Sequence, residues 1–166
     1  CVQDKIKQTA LFSILEIPHP KTRVFYGKRQ KSFITNHFKF PFIAKIPKGS
    51  AMGRGVYLIS NKDELDNYCA QTHVAYIQEY LHSDRDIRVV IIGNRVVHAY
   101  WRVACKGEFR SNVAAGATIL IEPVPEKVLD IAFNTATACG WDDVGIDILE
   151  YRGEYYVLEA NMKYGK

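Results

Sequence analysis

Two carboxylates and an amide near the end of the sequence are spaced to meet on one face of a β-hairpin. Asp147 lies in the apolar run Gly145–Leu149, and Glu159 and Asn161 follow a turn at Arg152-Gly153. Side chains alternate faces along a strand, so Glu159 and Asn161 point the same way, approximately opposite Asp147. Facing carboxylates repel each other, and a hard cation such as Mg²⁺ would relieve that repulsion with oxygen ligands. Two acids on a solvated sheet face, paired with nearby lysines, fit the same spacing equally well.

A lysine in an apolar strand precedes a glycine-rich loop. Lys45 lies within Phe42–Ile46, and the loop runs from Gly49 to Gly55. Glycines let backbone N–H groups approach phosphate closely, and a lysine supplies a positive charge. The loop lacks the terminal Gly-Lys-Ser/Thr of a Walker A motif and runs from strand to strand. The pattern indicates a phosphate-binding loop, with a flexible hairpin tip beside an edge-strand lysine as the structural alternative.

A third set of polar residues lies near the end of a predicted hairpin. Arg102 and Arg110 carry permanent positive charge, and Ser111 and Asn112 add hydrogen-bonding groups. Such groups can stabilise a transferring phosphoryl group and the oxyanion of a tetrahedral intermediate. An ordinary polar loop is the structural alternative.

These residues need elements to position them, and the sequence predicts a strand-rich order. Asp4 can cap an N-terminal helix, and Asn61 with Glu64 forms a capping box. Gly140 ends the last helix, and Gly93-Asn94 marks a hairpin turn. Hairpins with only three long helices predict an α+β fold with mostly antiparallel pairing, not a doubly wound parallel sheet. The predicted helices cover about residues 5–16, 61–71 and 125–139, and the strands are Thr22–Tyr26, Phe42–Ile46, Val56–Ile59, Val74–Leu81, Asp86–Ile92, Arg95–Ala104, Val144–Glu150 and Glu154–Asn161.

Composition limits the class of protein. The 166 residues suit one domain or two small lobes, with 48% hydrophobic and 24% charged residues as in globular proteins. No apolar run approaches the length of a membrane span, so no membrane partner is expected. The net charge of +4 fits anionic ligands such as nucleotides, but the basic residues lack the clustering of a nucleic-acid surface. The four cysteines show no metal-binding spacing. Nothing in the sequence points to secretion, so we expect a reduced, cytoplasmic protein.

Taken in order, these segments resemble the ATP-grasp superfamily, and most closely its RimK-like ligases, over nearly the whole chain. Asp147, Glu159 and Asn161 match the family's metal triad, and Phe109–Asn112 is similar to its catalytic loop. The order and spacing of these two motifs make the resemblance specific. It implies the ATP-grasp fold, in which two α+β lobes with mostly antiparallel sheets grip ATP between them.

The resemblance also implies a division of the chain. An N-terminal lobe with the phosphate loop and the hinge would cover about residues 1–80. A C-terminal catalytic lobe would cover about residues 81–166. An upstream domain and a C-terminal end are expected outside this sequence.

Nucleotide contacts follow from the same resemblance. Glu79 and the main chain of Tyr80 and Leu81 would meet the adenine. Asp86 would lie on the ribose side. The phosphates would contact two lysines and the glycine-rich loop, namely Lys5, Lys45, Gly49, Ser50, Gly53 and Gly55.

The implied function is an ADP-forming ligase that joins a carboxylate to an amine through an acyl phosphate, adding glutamate or another amino acid to a small-molecule or peptide acceptor. ATP and Mg²⁺ would be required, Mn²⁺ could replace Mg²⁺, and a homo-oligomer is compatible. A regulatory module that binds ATP without ligation and an ATP-grasp kinase remain as alternatives.

Two segments depart from the family's pattern. Val113–Gly116 has one glycine where the family usually has two, and Met162–Gly165 replaces a Pro-Gly turn. Both departures lie toward the acceptor side and leave the substrates open. The implied catalytic residues are Arg102, Arg110, Ser111 and Asn112.

Overall fold

A computed structural model describes residues 4–47, 55–105 and 116–162. These ranges contain five α-helices and nine β-strands, and every strand pair is antiparallel. The expected α+β class is therefore confirmed. The helices are α1 (Lys5–Ile14), α2 (Gly27–Lys31), α3 (Ile34–His37), α4 (Lys62–Gln71) and α5 (Glu126–Cys139). The strands are β1 (Thr22–Tyr26), β2 (Phe42–Lys45), β3 (Val56–Ile59), β4 (Val74–Glu79), β5 (Arg85–Ile92), β6 (Arg95–Val103), β7 (Thr118–Leu120), β8 (Asp143–Tyr151) and β9 (Glu154–Asn161).

The strands form two sheets in two compact units. One unit is the contiguous segment Pro20–Leu81, with the strand order β1-β4-β2-β3. The other combines the chain up to His19 with the chain from His82 onward, and its strand order is β7-β6-β5-β8-β9. This division differs from the expected one, because the segment carrying α1 joins the C-terminal sheet. Among the described helices, none is long and apolar enough to cross a membrane.

The contiguous unit has an aromatic core beneath its four-stranded sheet. Phe25 of β1, Phe42 of β2 and Tyr68 of α4 are all buried there. Helix α4 starts as the sequence predicts: Asn61 accepts a hydrogen bond from the Glu64 N–H at 3.0 Å. The Glu64 carboxylate in turn accepts the N–H of Ser60 at 2.7 Å, so two helix-start donors are satisfied.

Two short helices in this unit were not predicted. Helices α2 and α3 have five and four residues and lie in the basic connector between β1 and β2. Fewer than two helical turns cannot display an apolar period, which is the main sequence signal for a helix. The short strand β7 of the other unit was missed for a related reason, because three residues are too few to show alternation.

The five-stranded sheet has one apolar face and one charged face. Ile87 of β5 and Ile146 of β8 lie on the apolar face, which packs against Val128 and Ala132 of α5. Helix α5 ends at Gly140 with φ +66°, a left-handed conformation that glycine adopts readily and that the sequence predicts for a helix C-terminus. Strand β5 is the middle strand and is buried on both faces from Asp86 to Ile91. Charged side chains on the face of β5 that points away from the apolar core are therefore buried too, and each needs a partner of opposite charge.

Helix α1 covers the outer edge of β9. Asp4 caps the helix by accepting the N–H groups of Ile6 and Lys7. One turn later, the side-chain amide of Gln8 donates to the Ala160 carbonyl at 2.8 Å and accepts the Ala160 N–H at 2.9 Å. The helix thus satisfies backbone groups that an edge strand would otherwise leave open.

Candidate functional site

The β8–β9 hairpin brings together the residues predicted to bind a metal. Asp147 lies directly opposite Glu159, and Gly145 lies opposite Asn161, which confirms the pairing expected from the turn. The register shifts by one residue immediately after Asp147, so that Ile148 lies opposite Val157. Asp147 is buried, whereas Glu159 and Asn161 are half-buried.

The carboxylate of Asp147 is bound by two arginines. Nε of Arg88 donates to Oδ1 of Asp147, and Nη2 of Arg88 donates to Oδ2 at 2.9 Å. Nη2 of Arg102 lies 3.1 Å from the same Oδ1. Two arginines therefore relieve, in this structure, the repulsion for which the sequence suggested a hard cation or nearby lysines. Sequence reasoning missed Arg88 because its contact depends on β5 pairing with β8, although Arg88 alternates in phase with Asp86 along the predicted strand.

A fourth residue completes a buried ionic network. Arg102 binds Asp86 through two parallel hydrogen bonds, both of 2.7 Å. Asp86, Arg88, Arg102 and Asp147 are each at most 8% exposed. The network holds two positive and two negative side chains, so its formal charge is zero. Asp86, which the resemblance assigned to the ribose side, is therefore engaged with Arg102 in this structure.

Arg88, Arg102 and Asp147 hold one another in their charged forms. Burial alone would raise the pKa of Asp147, but the guanidinium groups of Arg102 and Arg88 hold that pKa below its ordinary value. Burial alone would lower the pKa of Arg102, and the carboxylates of Asp147 and Asp86 raise it instead. The pKa of Arg88 is likewise raised by Asp147 against the effect of burial.

The donor set around Asp147 fits a hard divalent cation. The described residues contain no group of three His, Cys, Asp or Glu side chains able to hold a metal, and the third predicted ligand, Asn161, is an amide. Asn161 is placed for this role, and its amide nitrogen donates to Oε1 of Glu159 at 2.9 Å. Two carboxylates and one amide oxygen match the preference of Mg²⁺ for oxygen ligands. Their role as metal ligands stays a prediction.

In the contiguous unit, Lys45 lies on a strand fixed by a buried tyrosine. Nζ of Lys45 is 5.7 Å from the centre of the Tyr76 ring, and the residue is only 7% exposed. The hydroxyl of Tyr68 donates to the Lys45 carbonyl at 2.7 Å and accepts the Tyr76 N–H at 3.0 Å. Lys45 and Tyr76 are direct neighbours across β2 and β4. Tyr68 therefore fixes the backbone of β2 at Lys45, the predicted phosphate-binding lysine, relative to β4.

Glu79, the first residue of the predicted adenine-binding hinge Glu79–Leu81, has a structural contact that the sequence did not reveal. Oε1 of Glu79 accepts the N–H of Lys21 at 2.5 Å, and the Glu79 N–H donates to the Lys21 carbonyl at 2.9 Å. This carboxylate holds the ends of β1 and β4 together, so one of its oxygens is already used. Tyr80 and Leu81, the next hinge residues, are half-buried.

The remaining predicted residues divide into two groups. Lys5 is the first residue of α1 and is half-buried. Gly55 has φ +75°, and its carbonyl accepts the N–H of Ile46 at 2.7 Å, which closes the loop after β2. The other predicted loop residues lie outside the described residues, namely Gly49, Ser50, Gly53, Arg110, Ser111 and Asn112.

Comparison with known proteins gives consistent matches over nearly the whole chain. A family model for the RimK-like ATP-grasp domain matches residues 2–166. Probable alpha-L-glutamate ligase of Enterobacter sp. (strain 638) is 30% identical over 170 residues, which cover 98% of this chain and 56% of that protein. Beta-citrylglutamate synthase B of Danio rerio is 31% identical over 132 residues, which cover 76% of this chain and 32% of that protein.

The fold has solved counterparts as well. D-alanine–D-alanine ligase from Bacillus anthracis, complexed with ATP, superposes with a TM-score of 0.76 at 18% identity. The match covers 97% of this chain and 55% of that one. This chain thus spans between a third and just over half of the proteins it matches.

Proposed function

The chain belongs to the RimK-like ATP-grasp family and has the ATP-grasp fold, and from this premise we propose that it is the nucleotide-binding and catalytic part of an ADP-forming ligase that joins a carboxylate to an amine. One observation carries the proposal: Asp147 and Glu159 face each other beside Arg102 on a charged, largely buried sheet face. A purely structural sheet face would not need Glu159 and Asn161 next to an already neutral network. Oxygen ligands beside arginines suit phosphoryl transfer.

ATP would be the first substrate. In the contiguous unit, Lys45 and the loop ending at Gly55 would bind the phosphates, and the backbone of Glu79, Tyr80 and Leu81 would bind adenine. The buried position of Lys45 supports this assignment, because a lysine held in an apolar strand by a fixed backbone loses little freedom on binding phosphate. Lys5 of the other unit and the loop residues Gly49, Ser50 and Gly53 would add further contacts to the phosphates.

Mg²⁺ would be held by Asp147, Glu159 and Asn161, and when bound it would neutralise charge on the ATP phosphates. Arg102, a member of the buried ionic network, would also neutralise negative charge on the phosphates. Its Nε and Nη2 groups bind carboxylates, so among the contacts of the described residues Nη1 is the group left to meet a substrate oxygen. Asp86 would then act by orienting Arg102 in place of contacting ribose.

The reaction would proceed in two steps. An oxygen of the substrate carboxylate attacks the γ-phosphorus of ATP, the bond from that phosphorus to the bridging oxygen breaks, and ADP leaves. The amine nitrogen then attacks the carbonyl carbon of the acyl phosphate, the bond from that carbon to the phosphate oxygen breaks, and the nitrogen loses a proton. Arg102 and Arg110, with Ser111 and Asn112, would stabilise the oxyanion of the second step.

We propose glutamate as the amine substrate. The names of both of these relatives contain glutamate. The carboxylate acceptor would be a small molecule or a peptide. The three described cysteines are free thiols, which supports the cytoplasm as the compartment.

The test is ADP release by the full-length protein with ATP, Mg²⁺, glutamate and a panel of carboxylates. We expect release to require one carboxylate and to yield a glutamyl amide. With glutamate omitted, hydroxylamine should trap the acyl phosphate as a hydroxamate. ATP binding without ADP release for any pair would favour the regulatory alternative, and phosphorylation of a hydroxyl compound without an amine would favour a kinase.

A further inference from the structure

Arg88 has a different position in the ionic network from Arg102. Arg102 shares its charge between Asp86 and Asp147. Arg88 lies directly opposite Asp147 across β5 and β8, and the carboxylate it binds among the described residues is that of Asp147. One cation of the network is therefore dedicated to the predicted metal ligand.

The contacts to Asp147 restrict how that carboxylate can bind anything else. A carboxylate offers about four lone-pair positions on its two oxygens. Oδ1 accepts from Arg88 and lies 3.1 Å from Nη2 of Arg102, and Oδ2 accepts from Arg88. One lone pair of Oδ2 is left, so Asp147 can bind a cation through a single oxygen while Arg88 stays in place.

Charge adds to this restriction. The guanidinium of Arg88 cancels the negative charge of Asp147 at the position where a divalent cation would bind. Glu159 is then the carboxylate of the triad whose charge the two arginines do not compensate. A metal site with so little net negative charge attracts a free cation weakly, because affinity follows the charge and number of the ligands. Phosphate oxygens of a bound nucleotide would supply the missing charge.

We propose that Arg88 is a positioning residue that stands in for the divalent cation on Asp147 in the metal-free protein. It orients Asp147 as a one-oxygen ligand and keeps the affinity for free metal low, so that metal and nucleotide bind together. This inference rests on the proposed function, because it takes Asp147, Glu159 and Asn161 as the metal ligands. Arg88 itself does not contact the reacting atoms.

The test measures Mn²⁺ binding to the full-length protein by the electron paramagnetic resonance signal of free Mn²⁺, with and without ADP. We expect ADP to tighten Mn²⁺ binding to the unmodified protein by about tenfold or more. Arg88→Met should tighten binding of Mn²⁺ alone by about tenfold, as expected for removing one adjacent like charge, and should reduce the effect of ADP. Arg95→Met, in an exposed position on the same sheet, is the matched control and should change neither value.

A purely structural role for Arg88 predicts the opposite sign. Loss of Arg88 would then disorder Asp147, and binding of Mn²⁺ alone would weaken or stay the same, which overturns the proposal. Arg88→Gln keeps a hydrogen-bond donor without the charge and gives the same test if Arg88→Met does not fold. Absence of ADP-linked Mn²⁺ binding in the unmodified protein would instead reject the metal site, and with it both the proposed function and the role of Arg88.

Discussion

Gln8 and Ala160 are joined by two hydrogen bonds, one in each direction between a side-chain amide and a backbone amide. Ala160 lies between Glu159 and Asn161 on the edge strand β9. The contact therefore fixes the backbone that carries two of the three predicted metal ligands. A helix side chain here does what a neighbouring strand would do.

Replacing Gln8 by Leu should destabilise the protein. The change leaves the N–H and the carbonyl of Ala160 buried without their partner, at about 1–3 kcal/mol for each group. We expect the free energy of unfolding, measured with urea, to fall by about 2–6 kcal/mol. Gln71→Leu, on the exposed surface of α4, is the control and should change stability by less than about 0.5 kcal/mol. Equal effects of the two substitutions would contradict the importance of this contact.

Tyr68→Phe should loosen the strand that carries Lys45. Removing the hydroxyl leaves the Lys45 carbonyl and the Tyr76 N–H without this partner in a buried region. We expect a loss of about 1–3 kcal/mol in the free energy of unfolding and weaker ATP binding in a calorimetric titration. Tyr57→Phe removes an exposed 3.3 Å hydrogen bond and serves as the control. Unchanged ATP affinity in Tyr68→Phe would show that Tyr68 does not position Lys45.

The two facing carboxylates should differ in their effect on the metal-free protein. Asp147→Ala removes the carboxylate bound to Arg88 and Arg102, and breaking a buried ion pair costs about 3–5 kcal/mol. Glu159→Ala removes a half-buried group bonded to Asn161 and should cost less than about 1 kcal/mol.

Both substitutions should abolish ADP formation if Asp147 and Glu159 bind the metal. Urea unfolding without metal and an ADP-release assay on the same samples measure the two effects. The control is Asp142→Ala at an exposed position before β8. A Glu159→Ala protein that still releases ADP at the unmodified rate would reject the metal site.

The Cys139 thiol should ionise at a higher pH than an ordinary cysteine thiol. Burial raises the pKa of Cys139 to about 11 from 9.0. Because the folded-state pKa lies above the unfolded value, the stability linked to this group is fully present below about pH 9 and is lost as the pH rises through about 11. We expect iodoacetamide to alkylate native Cys139 at a rate that keeps rising to about pH 11, since only the thiolate reacts.

Mass spectrometry of the peptide containing Cys139 measures this rate. In urea the rate should level off above about pH 9, where the unfolded thiol is ionised. Comparing the shapes of the two pH profiles separates ionisation from simple steric protection. Profiles that level off at the same pH would contradict a shifted thiol.

Local sequence signals predicted most of the secondary structure and the pairing of Asp147 with Glu159. The turn at Arg152-Gly153 was enough to place Asp147 opposite Glu159, because a hairpin register follows from its turn. The contacts of Asp147 with Arg88 and Arg102 could not be predicted in this way. They depend on β8 lying next to β5, and Arg88 and Asp147 are 59 residues apart in the sequence.

The sheet that α1 packs against could not be predicted for the same physical reason. The apolar stripe and the Asp4 cap identify a helix but not the surface that it covers. Gln8 reads as an ordinary helix surface residue until the position of the edge strand is known. The sequence suggested a lobe that begins at α1, and the structure places α1 with the strand that is farthest from it along the chain.

The chain order of the two units has a consequence for synthesis on the ribosome. The unit Pro20–Leu81 is continuous, so all its strands have emerged well before the last hairpin exists. Helix α1 emerges before that unit, yet its partner Ala160 follows Gln8 by 152 residues. An isolated helix of ten residues is marginal in water. During translation α1 is therefore made before the inserted unit and can contact β9 only after that unit has been synthesised, so the five-stranded sheet closes later than the four-stranded one.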